Sequence, residues 1–516
     1  MSLRPASSSF HKHRASNPSL LLIAGVSLCL AGLPTLANRS SGAPPMRALI
    51  VGGGPDLENN QVAIESNVRY FSKLLPRNAS VTALFADGDP NHATVLFDDS
   101  SASDSVGDHL MGLLLNETPS DGASTSRYRK PNLGCKLNGA SKKSAIQTAF
   151  TDIASEMQTS PRPLLLYFTG HGSPNNGSLD NNYYDLWGKN ETITVSELAK
   201  QIDRLPEETP VTLVMVQCFS GAFANLILEG GDPKGEPVKR DIAGFFATVK
   251  ERVAAGCTSA INEGEYHDFT SYFFAALTGK DRIGRRVKGA DYNHDGRVGM
   301  DEAYAYTLIN DESIDVPVCT SDVLLRRFGS VNDRTTFEGN AYEEVLSWAS
   351  PAQAAALEGL SLKLKKSGSD RLFTSYLLMM RGPEGSSGRK GSAKLAKSFQ
   401  DARNEGRRTL FSRWPELRRT SDREFATAYK EASAQLGREA DSERWKNLIA
   451  LETELDKSVA AGEAAEIADS QNLRFVRLGK SVILAHQLKE GDNKSLKERY
   501  ARLIEAEGRT VLPPAK

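Results

Sequence analysis

Short apolar runs alternate with amphipathic stretches from Met46 to about residue 330. The runs have the length of buried strands, and the stretches between them carry apolar residues at helical spacing. Strands are predicted at 46–51, 81–85, 164–168, 211–216 and 244–248. Helices are predicted at 61–75, 144–157 and 195–202. This order predicts an α/β fold, in which helices cover both faces of a mainly parallel sheet.

The pattern changes after about residue 338, where long, highly charged helical stretches replace the strands. We predict an all-α C-terminal region over 338–516, whose helices offer a surface for contacts with other proteins. Its clearest helix follows Ser421, which forms a capping-box pattern with Glu424. The apolar residues of that helix share one face: Phe425, Tyr429, Ala432 and Leu436.

Two segments have the composition of loops. Residues 382–392 are rich in Gly and Ser and predict a flexible linker that divides the helical region. Residues 87–143 are rich in Ser, Asp, Gly and Asn, which indicates a large surface insertion.

The first residues have the pattern of a secretory signal peptide. Arg4, Lys12 and Arg14 precede an apolar run over 20–33, and small residues around Ala37 follow it. The run is short for a membrane span. We predict a signal peptide over 1–37, cleaved near Ala37, so the mature protein is expected to be secreted or periplasmic. An uncleaved membrane anchor is the alternative.

The overall charge argues against two classes of partner. Lys and Arg total 63 and Asp and Glu total 64, so no strong field attracts nucleic acid or an anionic membrane. No later segment is apolar enough to span a bilayer, so we expect no membrane contact after signal removal. The cysteines beyond the signal are too few for a disulfide-built scaffold: Cys135, Cys218, Cys257 and Cys319. We expect at most one disulfide.

A histidine and a cysteine each follow a predicted strand. His171 and Gly172 come after the strand at 164–168, and Cys218 comes after the strand at 211–216. Open α/β sheets bind ligands at this carboxyl edge. A thiol needs a nearby base to become a nucleophile at neutral pH, and a histidine supplies one. Gly172 lets the chain turn beside the base, so its N–H and that of Cys218 are expected to stabilise an oxyanion.

These two segments resemble the motifs of caspase-fold cysteine peptidases, most closely the legumain-type and bacterial caspase-like enzymes. The histidine segment reads Y-F-T-G-H-G-S, and the nucleophile segment reads Q-C-F-S-G. The 47 residues from His171 to Cys218 are close to the caspase spacing of about 50. The resemblance runs from about residue 46 to residue 307 and implies a caspase-like peptidase domain over 46–330. It also implies that Cys218 attacks the scissile carbonyl while His171 acts as acid and base.

The specificity pocket departs from that of legumain. Legumain has an Arg-His pair after its first strand, where this chain has Asn59-Asn60, so the resemblance does not extend to asparagine specificity. The family completes its pocket after the fifth strand, where this chain carries Glu263, Glu265 and Asp268. A buried acid there would bind a basic substrate side chain, which predicts a preference for arginine before the cut. Solvated loop charges are the alternative.

Residues 291–302 fit an EF-hand calcium loop. Oxygen ligands occupy the expected positions, with the main-chain carbonyl serving at position seven: Asp291, Asn293, Asp295, Arg297 and Glu302. Gly296 supplies the turn at position six. The segment before the loop is a poor entering helix, so we expect a single structural calcium site. An Asp/Gly turn without metal is the alternative.

Together these features predict a secreted cysteine endopeptidase that hydrolyses protein or peptide substrates through a thioester on Cys218. A catalytically inactive scaffold of the same fold is one alternative. A transpeptidase or ligase that uses the same two residues is another. Thiol reactivity distinguishes the first alternative from a peptidase, and product analysis with an added amine distinguishes the second.

Overall fold

The predicted strands are confirmed in the computed structural model, which describes residues 46–98, 105–115, 126–329, 333–381, 386–419 and 423–510. The predicted signal peptide at 1–37 lies outside these ranges. The described strands are β1 (Arg47–Gly53), β2 (Ser80–Phe85), β3 (Val95–Asp98), β4 (Ser126–Arg129), β5 (Leu137–Gly139), β6 (Leu164–Gly170), β7 (Gly172–Ser173), β8 (Tyr183–Asp185), β9 (Thr192–Thr194), β10 (Val211–Met215), β11 (Ile242–Phe246) and β12 (Val318–Cys319).

Helices follow the strands and make up most of the C-terminal part of the chain. The described α-helices are α1 (Val62–Leu74), α2 (Val106–Leu115), α3 (Lys143–Thr159), α4 (Val195–Ile202), α5 (Phe269–Thr278), α6 (Met300–Asn310), α7 (Thr320–Phe328), α8 (Asp333–Glu338), α9 (Tyr342–Trp348), α10 (Pro351–Lys363), α11 (Arg371–Arg381), α12 (Ser386–Arg413), α13 (Phe425–Glu439), α14 (Glu443–Glu490) and α15 (Lys494–Glu507). The predicted helices at 61–75, 144–157 and 195–202 are confirmed as α1, α3 and α4. Within the described ranges, no helix combines the length and apolarity needed to cross a membrane.

Seven strands form one sheet in the order β12-β11-β10-β6-β1-β2-β5. Neighbouring strands are parallel except β11 and β12, which are antiparallel. Every residue of β1 and β6 is buried, because helices cover both faces of the sheet. The order of the strands along the chain reverses between β1 and β6. Ligands bind at such a reversal, beyond the carboxyl ends of the strands.

Alternate strand residues pack into two cores, one on each face of the sheet. Leu49, Leu166 and Leu213 face a cluster that includes α3 and α4, and Phe150 of α3 is fully buried there. Ile50, Tyr167 and Val214 face the opposite cluster, which includes α1, α5 and α6. Truncation of one such residue, for example Phe150→Ala, should cost about 3–5 kcal/mol of unfolding free energy. The rigidity of these cores fixes the positions of the strand ends.

The C-terminal region is helical, as predicted, and the described residues from 46 onward cluster as one compact unit. Leu503 of α15 packs into the same core as α3 and α4. Arg499 donates to the carbonyl of Arg240 at 3.1 Å, and Glu507 accepts from Thr320 Oγ1 at 2.6 Å. The helical region therefore packs directly on the edge of the sheet.

Two loop predictions are corrected by the described helices. Residues 386–392, part of the predicted linker, belong to the start of α12, while 382–385 lie outside the described residues. The predicted insertion at 87–143 contains α2, whose Leu110 and Leu114 are buried among Phe399 and Trp445 of the helical region. The apolar residues of α2 complete a core that its sequence neighbours do not supply. Composition alone therefore misassigned both segments.

The helix predicted after Ser421 is present as α13, although Ser421 itself lies outside the described residues. Ala432 and Leu436 are buried, and Phe425 and Tyr429 are half-buried in the same cluster. The predicted apolar face is therefore confirmed as a packing face.

Candidate active site

The two predicted catalytic segments leave adjacent parallel strands, because β6 and β10 pair directly in the sheet. The loops touch at Gly172, where an added Cβ would lie 2.3 Å from the carbonyl oxygen of Cys218. The φ angle of Gly172 is outside the left-handed region, so the backbone conformation does not require a glycine here. The close approach to Cys218 does require one, because a side chain would collide with it. The sequence analysis expected Gly172 to allow a sharp turn, whereas in the structure its role is to permit this close packing.

His171 is half-buried and is held by the loop after β1. Its Nε2 lies 2.9 Å from the carbonyl oxygen of Asn59 and 3.0 Å from Gln61 Oε1. A carbonyl oxygen only accepts, so Nε2 carries the proton and Nδ1 is the basic nitrogen. Burial lowers the pKa of His171, an effect that the Asn59 bond and the nearby carboxylates of Asp185 and Asp56 partly offset.

The strand pair β7–β8 orients the backbone beside His171. The N–H of Asp185 donates to the carbonyl of His171 at 3.0 Å, and Ser173 Oγ donates to the Asp185 carboxylate at 2.6 Å. His171 and Asp185 are thus a hydrogen-bonded pair, so the next pair, Gly172 and Tyr184, is a non-hydrogen-bonded one. The N–H of Gly172 therefore points away from β8 and is left for an acceptor outside this ladder.

Cys218 is half-buried, and its Sγ accepts a hydrogen bond from the N–H of Ala254 at 3.2 Å. Burial raises the pKa of Cys218, and the bond from Ala254 opposes this rise. The next residue, Phe219, has a left-handed backbone with φ of 58°, which is unusual for a side chain of this size. Its N–H donates to the carbonyl of Arg252 at 2.8 Å, which holds this conformation. Such backbone strain is common at functional sites.

The described contacts of His171 and Cys218 do not include a hydrogen bond between the two side chains. The pKa of the imidazole is lowered and that of the thiol is raised, so the resting pair is neutral. Catalytic hydrogen bonds often tighten only when substrate binds. The arrangement suits general-base activation of a thiol in the substrate complex.

Gln217 precedes Cys218 and is the first residue of the nucleophile segment Q-C-F-S-G. The sequence alone assigned it no role. Its side chain is buried, its Cγ lies near Gly172, and both ends of its amide lack a hydrogen-bond partner among the described residues. Buried polar groups are nearly always paired. This amide therefore offers one donor and one acceptor beside the two catalytic candidates.

The loop that contacts Cys218 is itself held by the C-terminal region. Ala255 donates its N–H to Asp315 Oδ1 at 2.7 Å, next to the Ala254 contact with Sγ. Arg474 of α14, which is fully buried, donates to the carbonyls of Asp315 at 2.7 Å, Asp311 at 2.6 Å and Ser313 at 2.9 Å. Sequence analysis missed this support, because residues 159 positions apart make the contact and no local pattern records it.

Two of the three predicted pocket acids already have positive partners, which corrects the reasoning behind that prediction. Asp268 is 3% exposed and pairs with Arg282 at 3.2 Å, while its other contacts cap α5. Glu263 pairs with Arg69. Neither leaves a buried carboxylate that needs a substrate cation. Glu265 lies between them in the chain and is exposed.

The first-strand position expected to differ from legumain has a structural role. The side chain of Asn60 is fully buried, accepts from the N–H of Gly54 at 3.1 Å and donates to the carbonyl of Thr94 at 2.9 Å. Asn59 contributes its carbonyl to His171, as described above. Neither residue places a cation at the site.

The predicted calcium loop curls around its own side-chain oxygens. Asp291 accepts from the N–H groups of Asp295 at 3.1 Å and Gly296 at 3.0 Å, and Gly296 has a φ of 83°. Asn293 accepts from Asp295 at 2.8 Å, and Glu302 accepts from the N–H of Asn293 at 2.9 Å. The oxygen donors suit calcium.

The same carboxylates are occupied by backbone N–H groups, and Glu302 also accepts from Tyr292 at 2.8 Å and Gly299 at 2.9 Å. In the described part of the chain, no three acidic, His or Cys side chains are grouped closely enough to hold a metal. Calcium binding by Asp291, Asp295 and Glu302 therefore requires these contacts to shift, and it stays a prediction.

The four cysteines in the described residues are all free thiols. Cys257 is exposed, and its Sγ lies 4.0 Å from the carbonyl of Gly170, the last residue of β6. A second thiol is therefore present near the candidate site and serves as a natural control for the reactivity of Cys218.

No protein-family model and no curated protein matches this chain. Among solved structures it is similar to the crystal structure of protein GSU0716 from Geobacter sulfurreducens, at 12% sequence identity. The alignment covers 54% of this chain and 92% of that one, with a TM-score of 0.30. A likeness this weak carries no argument about function, so the functional argument depends on the site.

Proposed function

We propose that this protein is a cysteine endopeptidase of the caspase-like class, with Cys218 as nucleophile and His171 as acid and base. One observation carries the proposal: the two residues follow adjacent parallel strands, and Gly172 packs against the backbone of Cys218. A nucleophile and a base at the carboxyl edge of an α/β sheet form a reactive arrangement.

The proposed reaction proceeds through a thioester. Sγ of Cys218 attacks the scissile carbonyl carbon while its proton moves to Nδ1 of His171. The N–H groups of Gly172 and Cys218 stabilise the oxyanion of the tetrahedral intermediate. His171 then gives the proton to the leaving amine as the C–N bond breaks. Water, activated by His171, attacks the thioester, which releases the acid and restores the thiol.

The hydrogen bonds of His171 support this assignment. Nε2–H is held by the carbonyl of Asn59, which leaves Nδ1 free to take the thiol proton. The N–H of Gly172, which points away from β8, is one of the two donors proposed for the oxyanion. These features support a base and an oxyanion site at one edge of the sheet.

The lowered pKa of His171 and the raised pKa of Cys218 give the proposal a pH signature. The reacting form has a neutral imidazole and a protonated thiol. We expect kcat/KM to rise as the pH increases through the lowered pKa of His171 and then to stay level at neutral pH. A thiolate–imidazolium pair would instead lose activity as His171 deprotonates.

The preference for arginine substrates remains part of the proposal, but it now depends on Glu265. Glu263 and Asp268 are paired with Arg69 and Arg282. The proposal also includes export directed by residues 1–37 and a structural calcium ion in the loop 291–302. No nucleic acid or membrane partner is proposed for the mature chain.

Cleavage of a positionally varied peptide library tests the proposed function. We expect cleavage by the wild type and by Cys257→Ala, and no cleavage by Cys218→Ala or His171→Ala, with all four proteins folded by circular dichroism. Adding a free amine distinguishes a ligase, because a ligase transfers the acyl group to the amine in preference to water.

An inactive scaffold is the second candidate, and the raised pKa of Cys218 together with its lack of a hydrogen bond to His171 favours it. A wild type that cleaves no peptide in the library, and whose Cys218 reacts no faster than a model thiol, would support the scaffold and exclude the peptidase.

A further inference from the structure

A cavity of about 720 Å³ lies where the helical region packs on the edge of the sheet. Its wall comes from α6 and α7 on one side and from α9, α10, α14 and α15 on the other. Large apolar side chains contribute much of that wall: Tyr304, Leu308, Leu325, Trp348, Leu478 and Tyr500. His171 and Cys218 do not line it, so this is a second site. Its volume is within the range of small-molecule binding sites, roughly 300–1,000 Å³.

The cavity lining carries four cationic side chains against three acids: Arg474, Arg477, Lys489 and Lys497, with Asp301, Asp322 and Glu507. Asp322 pairs with Arg326 at 2.8 Å and with Arg477 at 2.6 Å, so one carboxylate serves two guanidinium groups. Ser481 also donates to Asp322. The bond to Asp322 uses Nη2 of Arg477, whose side chain is 23% exposed, so the guanidinium remains accessible from the cavity that Arg477 lines. An anionic ligand there would add a charge-assisted hydrogen bond to this guanidinium.

Further lining residues define the rest of the charge. Lys489 and Lys497 line the cavity, and His486 stacks on Trp348 with ring centroids 3.9 Å apart. Two acids also line it, Asp301 and Glu507. Glu507 already accepts from Thr320 Oγ1 at 2.6 Å and from the N–H of Ser321 at 2.7 Å, and burial raises its pKa to about 7, so its negative charge is weakened near neutral pH.

We propose that this cavity binds an amphipathic monocarboxylate, a medium-chain fatty acid. Its carboxylate accepts a hydrogen bond from the guanidinium of Arg477, and its alkyl chain lies against the apolar wall formed by α6, α9, α10, α14 and α15. The charge at Arg477 selects the acid over an alcohol of equal length. This inference does not depend on the proposed peptidase activity.

Binding of dodecanoate tests the inference, measured by isothermal titration calorimetry and by the fluorescence change of Trp348. We expect one dodecanoate per chain. Dodecanol, which has the same chain but no charge, should bind about tenfold or more weakly because it loses a charge-assisted hydrogen bond. Dodecyltrimethylammonium should bind more weakly than the alcohol. Equal binding of acid and alcohol would overturn the proposed role of Arg477.

Two variants locate the site. Ala485→Phe fills the cavity from α14 and should abolish dodecanoate binding, whereas Ala464→Phe, at an exposed position on the same helix, should leave it unchanged. Arg477→Gln keeps a polar side chain and should weaken the acid about tenfold while leaving the alcohol unaffected. If dodecanoate binds equally to the wild type, Ala485→Phe and Arg477→Gln, the cavity is not its site and the inference is wrong.

Discussion

The two catalytic candidates and the predicted pocket acids differ in the partners that the fold provides. His171 is held by a backbone carbonyl, and Cys218 by a backbone N–H. Asp268 and Glu263, in contrast, each pair with an arginine from another part of the chain. The backbone thus positions the two catalytic candidates, and neither forms an ion pair with an arginine among the described residues. Asp268 and Glu263 are instead neutralised by structural ion pairs with Arg282 and Arg69.

This difference shows what an acidic residue near a site can and cannot indicate. A carboxylate selects a cationic substrate only if the protein itself does not neutralise it. Arg282, which lies over the rings of Tyr70 and Tyr266 at 5.1 and 5.3 Å, supplies the cation that Asp268 would otherwise have taken from a substrate. Substitutions of His171 or Cys218 should therefore lower activity more than stability. Substitutions of Asp268 or Glu263 should lower stability more than activity.

Replacing Asp268 should give the largest loss of stability. Asp268→Ala leaves the buried Arg282 without its carboxylate, which typically costs about 3–5 kcal/mol. Urea denaturation measures the change in unfolding free energy. Glu265→Ala is the matched control, because this exposed acid should change stability by no more than about 0.5 kcal/mol. Equal, small effects of both substitutions would show that Asp268 has no structural ion pair.

Calcium should give the next largest effect, through acids that pair with backbone N–H groups and have no arginine partner. A calcium concentration about 100 times the Kd should raise the unfolding free energy by about 2.7 kcal/mol, because only the folded loop binds. Differential scanning calorimetry measures the shift in Tm. Asp291→Ala combined with Asp295→Ala should remove it. A Tm that is constant across a wide calcium titration, with no metal found on analysis, would contradict the assignment.

Asp315 links the C-terminal region to the loop that contacts Cys218, so its replacement should affect the proposed activity although Asp315 is remote from Cys218 in the sequence. Asp315→Ala leaves the N–H groups of Ala255 and Phe269 without their acceptor, a loss of about 1–3 kcal/mol. If the resulting loop movement displaces Ala254 from Cys218, kcat should fall about tenfold or more. A variant that loses stability but keeps the wild-type kcat would show that Asp315 does not position the loop.

Glu507 should give the smallest effect, visible as a pH dependence. Its pKa is raised to about 7 by burial, so the folded state holds its proton more tightly than the unfolded state does. Its stabilising contribution is complete below the unfolded pKa and is lost as the pH rises through about 7. Glu507→Gln should therefore raise Tm by a few degrees at about pH 8 and little at about pH 4. A Tm difference independent of pH would contradict this assignment.

The backbone arrangement of the site could be predicted from the sequence, because strand ends in a parallel sheet are fixed by apolar runs. The positions of His171, Gly172 and Cys218 follow from that pattern alone. Their supports could not be predicted: Asn59 and Gln61 come from the loop after β1, and Arg474, which holds the segment around Asp315, lies 159 residues beyond it in the chain. Ion pairs and helix packing depend on contacts between segments that are distant in the sequence. The spacing of residues within one segment does not predict those contacts.

Cys218 is proposed to form the covalent acyl intermediate. Rapid acid quenching of the enzyme during peptide turnover, followed by peptide mapping by mass spectrometry, tests it directly. We predict an acyl adduct on Cys218 in the wild type and in Cys257→Ala, and no adduct in Cys218→Ala. An acyl group found on Cys257, or turnover that continues in Cys218→Ala, would contradict the account.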